Sequence, residues 1–158
     1  MPKQFRAMFD TNVYAVLYKS HLGKISGLVQ AGSLVVYGCT VIRKELREIP
    51  KGIMVGGKNY RSALLKVYDE LVEKHDVPVA GLSEELARQY LKEYAGGSQR
   101  RKIYPDFLIV ATAAIHALDL VVSGDEKTMK SGPARAAYEK VNKRNGLKTP
   151  NFVKLEEL

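Results

Sequence analysis

Short apolar runs alternate with longer segments of helical period along nearly the whole chain, and this alternation limits the fold more than any other feature. Residues 5–9 (FRAMF), Leu34 to Tyr37, Val77 to Gly81 (VPVAG), Leu120 to Val122 and Phe152 to Leu155 read as five strands. Pro78 confines the third to an edge or to its first residue. Between the strands, apolar side chains recur at helical spacing: Val13, Val16 and Leu17; Ile42, Leu46 and Ile49; Leu64, Leu65, Tyr68, Leu71 and Val72; Leu86, Tyr90, Leu91 and Tyr94. Pro50 stops the second of these helices, and loop is expected from there to Gly57. Ser83, Glu84 and Glu85 open the helix that Gly96 and Gly97 close. After a basic loop, Pro105 and Asp106 open a helix that is apolar nearly all round (FLIVATAAIHAL), as befits a covered central element. Pro133 starts the last helix, and Asn145 and Gly146 stop it. Strands joined through helices pair in parallel by right-handed crossovers, so the expected fold is α/β: a three-layer α/β/α sandwich with a parallel five-stranded sheet. With 158 residues, the chain suits one domain, 1–158.

Composition excludes several classes. Hydrophobic residues at 46% and charged residues at 27% suit an ordinary core rather than disorder. Cys39 is the only cysteine, which excludes an internal disulfide or a thiolate metal cluster and predicts a reducing compartment, the cytoplasm. Thr112, His116 and Asp119 interrupt the longest apolar stretch, which is too short for a membrane span. The N-terminus lacks the apolar region of a secretory signal. The net charge of +8 favours a polyanionic partner.

In sheets of this kind ligands bind beyond the carboxyl ends of the strands. Asp10 ends the first strand, Asp125 follows the fourth, Glu45 lies in the helix after the second, and Asp106 opens the central helix. Each alone also reads as a turn, cap or surface acid. Together at one edge they would raise one another's pKa unless they share a proton or bind cations, and an all-oxygen cluster suits Mg²⁺ or Mn²⁺.

The segments FDTNVY, VIRKEL, PDFLIVATA and LVVSGDEKTM, in this order, resemble the PIN-domain family of metal-dependent ribonucleases over most of the chain. The resemblance implies a PIN-like parallel sheet and Asp10, Glu45, Asp106 and Asp125 as catalytic, metal-ligating or metal-positioning acids. It also implies Asn12 and Ser123 as polar support behind them, Mg²⁺ or Mn²⁺ as cofactor, and hydrolysis of RNA phosphodiesters. VapC-type toxins share the layout, which adds an antitoxin protein and a homodimer as expected partners. The loops at 50–60 and before Pro105 look long for a compact toxin, so an RNA-processing role stays open, as does a PIN-like RNA-binding module without catalysis.

Arg100, Arg101 and Lys102 lie close enough before Asp106 to contact an RNA backbone, or form a solvated run; Arg43, Lys44 and Arg47 flank Glu45 in the same way. Tyr104 reads as a base-stacking or a packing residue. Gly52, Gly57 and Lys58 match phosphate-loop spacing, but Asn59 replaces the required Ser or Thr and no apolar strand precedes them. DTNVY followed by GDEKT also suggests a haloacid-dehalogenase-like phosphatase, although Asn12 cannot supply the general acid those enzymes place there. His21, His75 and His116 show no metal-ligand spacing, and Cys39 reads as a small buried hydrophobe.

Overall fold

In the computed structural model, which describes residues 3–158, five strands form one sheet: β1 (Phe5–Phe9), β2 (Leu34–Cys39), β5 (Asp76–Val77), β6 (Leu120–Val122) and β7 (Asn151–Val153). Their order is β5-β2-β1-β6-β7, and every pairing is parallel, with Phe5 opposite Leu34, Ala7 opposite Leu120, Leu120 opposite Asn151 and Gly38 opposite Asp76. The central strand explains the choice of parallel pairing. Ala7, Met8 and Phe9 are all fully buried, as a strand covered on both faces must be.

The crossovers are helical. Helices α1 (Thr11–Lys19), α2 (Leu22–Gln30), α3 (Thr40–Arg47) and α4 (Tyr60–Val72) pack as one group, and α5 (Gly81–Glu93), α6 (Arg100–Ile115) and α7 (Gly132–Arg144) as another. The first group encloses Phe9, Tyr14 and Tyr68. The second encloses Tyr90, Phe107 and Tyr138, whose rings meet edge to face. The α/β sandwich expected from the alternation is the fold observed.

Four local expectations change. Helix α2 forms where no helix was expected; its glycines weaken its propensity, but Ile25 is fully buried and Leu22, Leu28 and Val29 pack against the core. Within the expected loop after Pro50, β3 (Met54–Val55) and β4 (Lys58–Asn59) make a hairpin. Gly56 and Gly57 both have positive φ, 59° and 76°, as its two-residue turn requires. Strand β5 stops at Val77, because Pro78 has no N–H to extend the ladder. Helix α6 begins at Arg100, not Pro105, so Pro105 sits inside it and removes the hydrogen bond to the Arg101 carbonyl.

Gly38, at the edge of β2, shows how tightly the sheet is covered. An added Cβ there would lie 2.0 Å from the Tyr68 hydroxyl. That hydroxyl is held in place by hydrogen bonds to Asp76 and to the Cys39 carbonyl. We expect Gly38→Ala to cost about 1–3 kcal/mol from overpacking, with more if those hydrogen bonds break. Urea denaturation measures this; an unchanged midpoint contradicts it.

Candidate active site

The carboxyl ends of β1, β2 and β6 bring the acids together. Asp10 leaves β1 as the N-cap of α1 and is only 5% exposed. Its Oδ1 accepts the Thr11 N–H at 2.8 Å, and its Oδ2 accepts the hydroxyl of fully buried Ser123 at 2.8 Å. Glu45, on α3, accepts the Thr11 hydroxyl at 2.8 Å. Asp125 follows β6; its N–H donates to Ser123 Oγ at 3.0 Å, while its Oδ1 accepts the N–H groups of Lys127 and Thr128 at 3.0 and 2.9 Å. The Thr128 hydroxyl lies within hydrogen-bond reach of both Asp125 and Asp106, at 2.8 Å from the latter. The four acids therefore form a run, Glu45, Asp10, Asp125, Asp106, in which Thr11, Ser123 and Thr128 each join two neighbours.

Buried Lys130 braces the loop. Its ammonium donates to the Ser123 carbonyl at 3.1 Å and pairs with Glu126 at 3.0 Å.

Electrostatics separates the acids. Burial raises the Asp106 pKa to about 7, Asp10, Asp125 and Glu45 push it the same way, and the Thr128 hydroxyl opposes them. Burial also raises Asp10 and Glu45, against hydrogen bonds from Ser123 and Thr11 respectively. Burial works to raise Asp125 too, but hydrogen bonds from Thr128 and from the N–H groups of Lys127 and Met129 outweigh it and hold this carboxyl below the usual range. A hydroxyl has one proton and cannot donate to two carboxylates at once. Its one proton therefore serves Asp106 and Asp125 in turn, and neither carboxylate holds it alone.

Thr11 and Thr128 escaped the sequence reading. Thr11 performs the support expected of Asn12, which is exposed and makes no hydrogen bond to the acids. Thr128 stands three residues after Asp125, where an Asx-type turn delivers its N–H and hydroxyl together. Asp106 does not open α6 but sits in its second turn, and Arg100, Arg101 and Lys102, expected in a loop, form the exposed first turn. Tyr104 packs against the core, and Arg43 is paired with Asp69 at 3.1 Å.

The donor set, four carboxylates with hydroxyl support, suits a hard divalent cation. Among the described residues, no three His, Cys, Asp or Glu side chains come close enough together to form a ready-made metal cage. The fit is one of chemistry: the carboxylates hydrogen-bond to hydroxyls and are coupled by charge, without a closed coordination shell.

No family model and no curated protein matches this sequence. Solved structures do. The chain resembles one described as FitAB bound to IR36 DNA fragment (TM-score 0.58, 15% identity, covering 94% of each chain). It also resembles VapBC2 from Rickettsia felis bound to a DNA fragment from its promoter (TM-score 0.54, 10% identity, 95% of this chain and 98% of that one). A third is FitAcB from Neisseria gonorrhoeae (TM-score 0.55, 14% identity, 96% and 99%). At these identities the likeness is one of fold: the α/β sandwich on a parallel five-stranded sheet is shared with these three structures. No helix among the described residues is long and apolar enough to cross a membrane.

Proposed function

We propose that this chain is a metal-dependent endoribonuclease that hydrolyses phosphodiester bonds in single-stranded or looped RNA. The observation that carries the reading is the run of four acids at one edge of the sheet, tied together by backbone and hydroxyl hydrogen bonds of Thr11, Ser123 and Thr128, in a chain whose net charge is nonetheless +8. Bound Mg²⁺ or Mn²⁺ supplies Lewis acidity and a nucleophilic water at neutral pH. The residues that would hold it are Asp10, Glu45, Asp106 and Asp125. Ser123 and Thr11 keep Asp10 and Glu45 oriented, the 125–128 turn keeps Asp125 anionic, and Asp106 holds a proton near neutrality, ready to exchange it for a cation. Arg100, Arg101 and Lys102, free of ion pairs among the described residues, offer their charges to the phosphate backbone. The VapC-type resemblance and the complexes with DNA described for the structural neighbours support a toxin role, with a homodimer and an antitoxin protein as partners in the cytoplasm.

A titration of Mg²⁺ and Mn²⁺ against a panel of RNAs tests this. We expect internal cleavage that EDTA abolishes. Release of inorganic phosphate from small esters with RNA left intact would replace the reading by a phosphatase; RNA binding without cleavage at any metal concentration would replace it by a binding module.

A further inference from the structure

Beside the acidic run the surface opens into a cleft of about 600 Å³, with Val16 as its exposed apolar wall, the nearly buried Val13 and Leu155 at its floor, and Asn12, Glu126 and Lys154 among its polar lining. Two of its lining residues are chain neighbours of the acids. Asn12 stands two residues after Asp10, and Gly124, also in the lining, immediately precedes Asp125. Whatever occupies the cleft therefore rests against the backbone that carries Asp10 and Asp125. Val16 is 41% exposed here and gives the cleft its accessible apolar surface. The Asn12 amide has no hydrogen-bond partner among the described residues and offers both a donor and an acceptor. The Lys154 ammonium is 3.9 Å from Glu126, whose charge is shared with Lys130.

This lining suits one kind of occupant. Apolar walls with a few polar groups around them match the faces and edges of a heteroaromatic base, and the volume lies in the range of small-ligand sites. Glu126 and Glu156, both part of the lining, repel a phosphate from the interior, leaving Lys154 to meet the backbone outside. A paired, stacked base cannot enter. We propose that this cleft receives an unpaired nucleobase of the RNA strand, beside the linkage to be cut. The proposal rests on the ribonuclease reading for the cleavage it would direct, and it makes substrate choice depend on single-strandedness.

An abasic scan tests it. The full chain is mixed, in EDTA, with fluorescently labelled single-stranded RNA oligonucleotides, each lacking the base at one successive position, and binding is read by anisotropy. We expect one position at which base removal weakens binding by about tenfold. Val16→Glu and Gly124→Leu should bring that ratio close to one, and Gly124→Leu, which adds no charge, should do so while leaving binding of the abasic RNA unchanged. A Cβ at Gly124 meets nothing within 4 Å, so a side chain there starts from open space, and the far-ultraviolet circular dichroism of both variants is compared with wild type before binding is read. The proposal fails if no position shows the loss, if both variants preserve it, or if Val16→Glu splits a dimer, which would make the cleft an interface between copies. Base-dependent binding by a wild type that never cleaves would defeat the ribonuclease reading and leave the cleft standing. Cleavage indifferent to every base removal would do the reverse.

Discussion

Asp106→Asn is expected to lower RNA hydrolysis by about a thousandfold or more, roughly 4 kcal/mol of transition-state stabilisation, with fold and RNA binding retained. The substitution is isosteric and keeps an oxygen that accepts from Thr128. What it removes is the only carboxylate that α6 contributes to the run. Asp119→Asn is the matched control: Asp119 precedes β6 at the opposite end of the sheet, where its Oδ2 accepts the Arg6 N–H at 2.9 Å. Initial rates under saturating Mn²⁺ separate the two, and an Asp106→Asn enzyme within tenfold of wild type would sink the assignment.

The same variant should be the more stable protein above pH 7 when no divalent cation is present. Burial, then the charges of Asp10, Asp125 and Glu45, put the folded-state pKa of Asp106 at about 7, against 3.8 for an unperturbed aspartate. Between these values the folded chain holds a proton that the unfolded chain has released, so the Asp106 contribution to stability falls as pH rises through this window. Below about pH 4 the group is neutral in both states and the difference vanishes; above 7 it is ionised in both and the difference levels off. The ceiling is roughly 4 kcal/mol. Urea denaturation of wild type and Asp106→Asn from pH 4 to 8 in EDTA reads the gap directly, and a gap that does not widen contradicts it.

Strand β6 was legible because burial on both faces leaves an uninterrupted apolar run, and β1 because its apolar residues end in the turn-forming Asp10, Thr11 and Asn12; β5 was misplaced, since it lies before Pro78 and shares only Val77 with the expected stretch. Helix α2 was not legible: Gly23 and Gly27 erase its local signal, and the burial of Ile25 restores the helix only in the folded chain. The start of α6 was hidden because Pro105 imitates a first-turn proline while the exposed turn before it carries no apolar period. At the site, Asp10 and Asp125 stood out as acids that follow strands, and a meeting with Glu45 and Asp106 was expected because parallel strands share one carboxyl edge. The hydroxyls that connect them did not stand out, since a threonine reveals its partner only through direction. One residue along a helix turns a side chain by about 100°, enough to send Thr11 toward Glu45 and Asn12 into the neighbouring cleft.

The Ser123 hydroxyl reaches Asp10 across 113 positions of sequence. Proteins are made from the N-terminus onward, so Asp10 emerges from the ribosome long before its partner exists, and β1 must wait for β6 before its acid is fixed. A nascent chain shorter than this carries no assembled centre. While most of the polypeptide is still being translated, the four acids belong to no common edge.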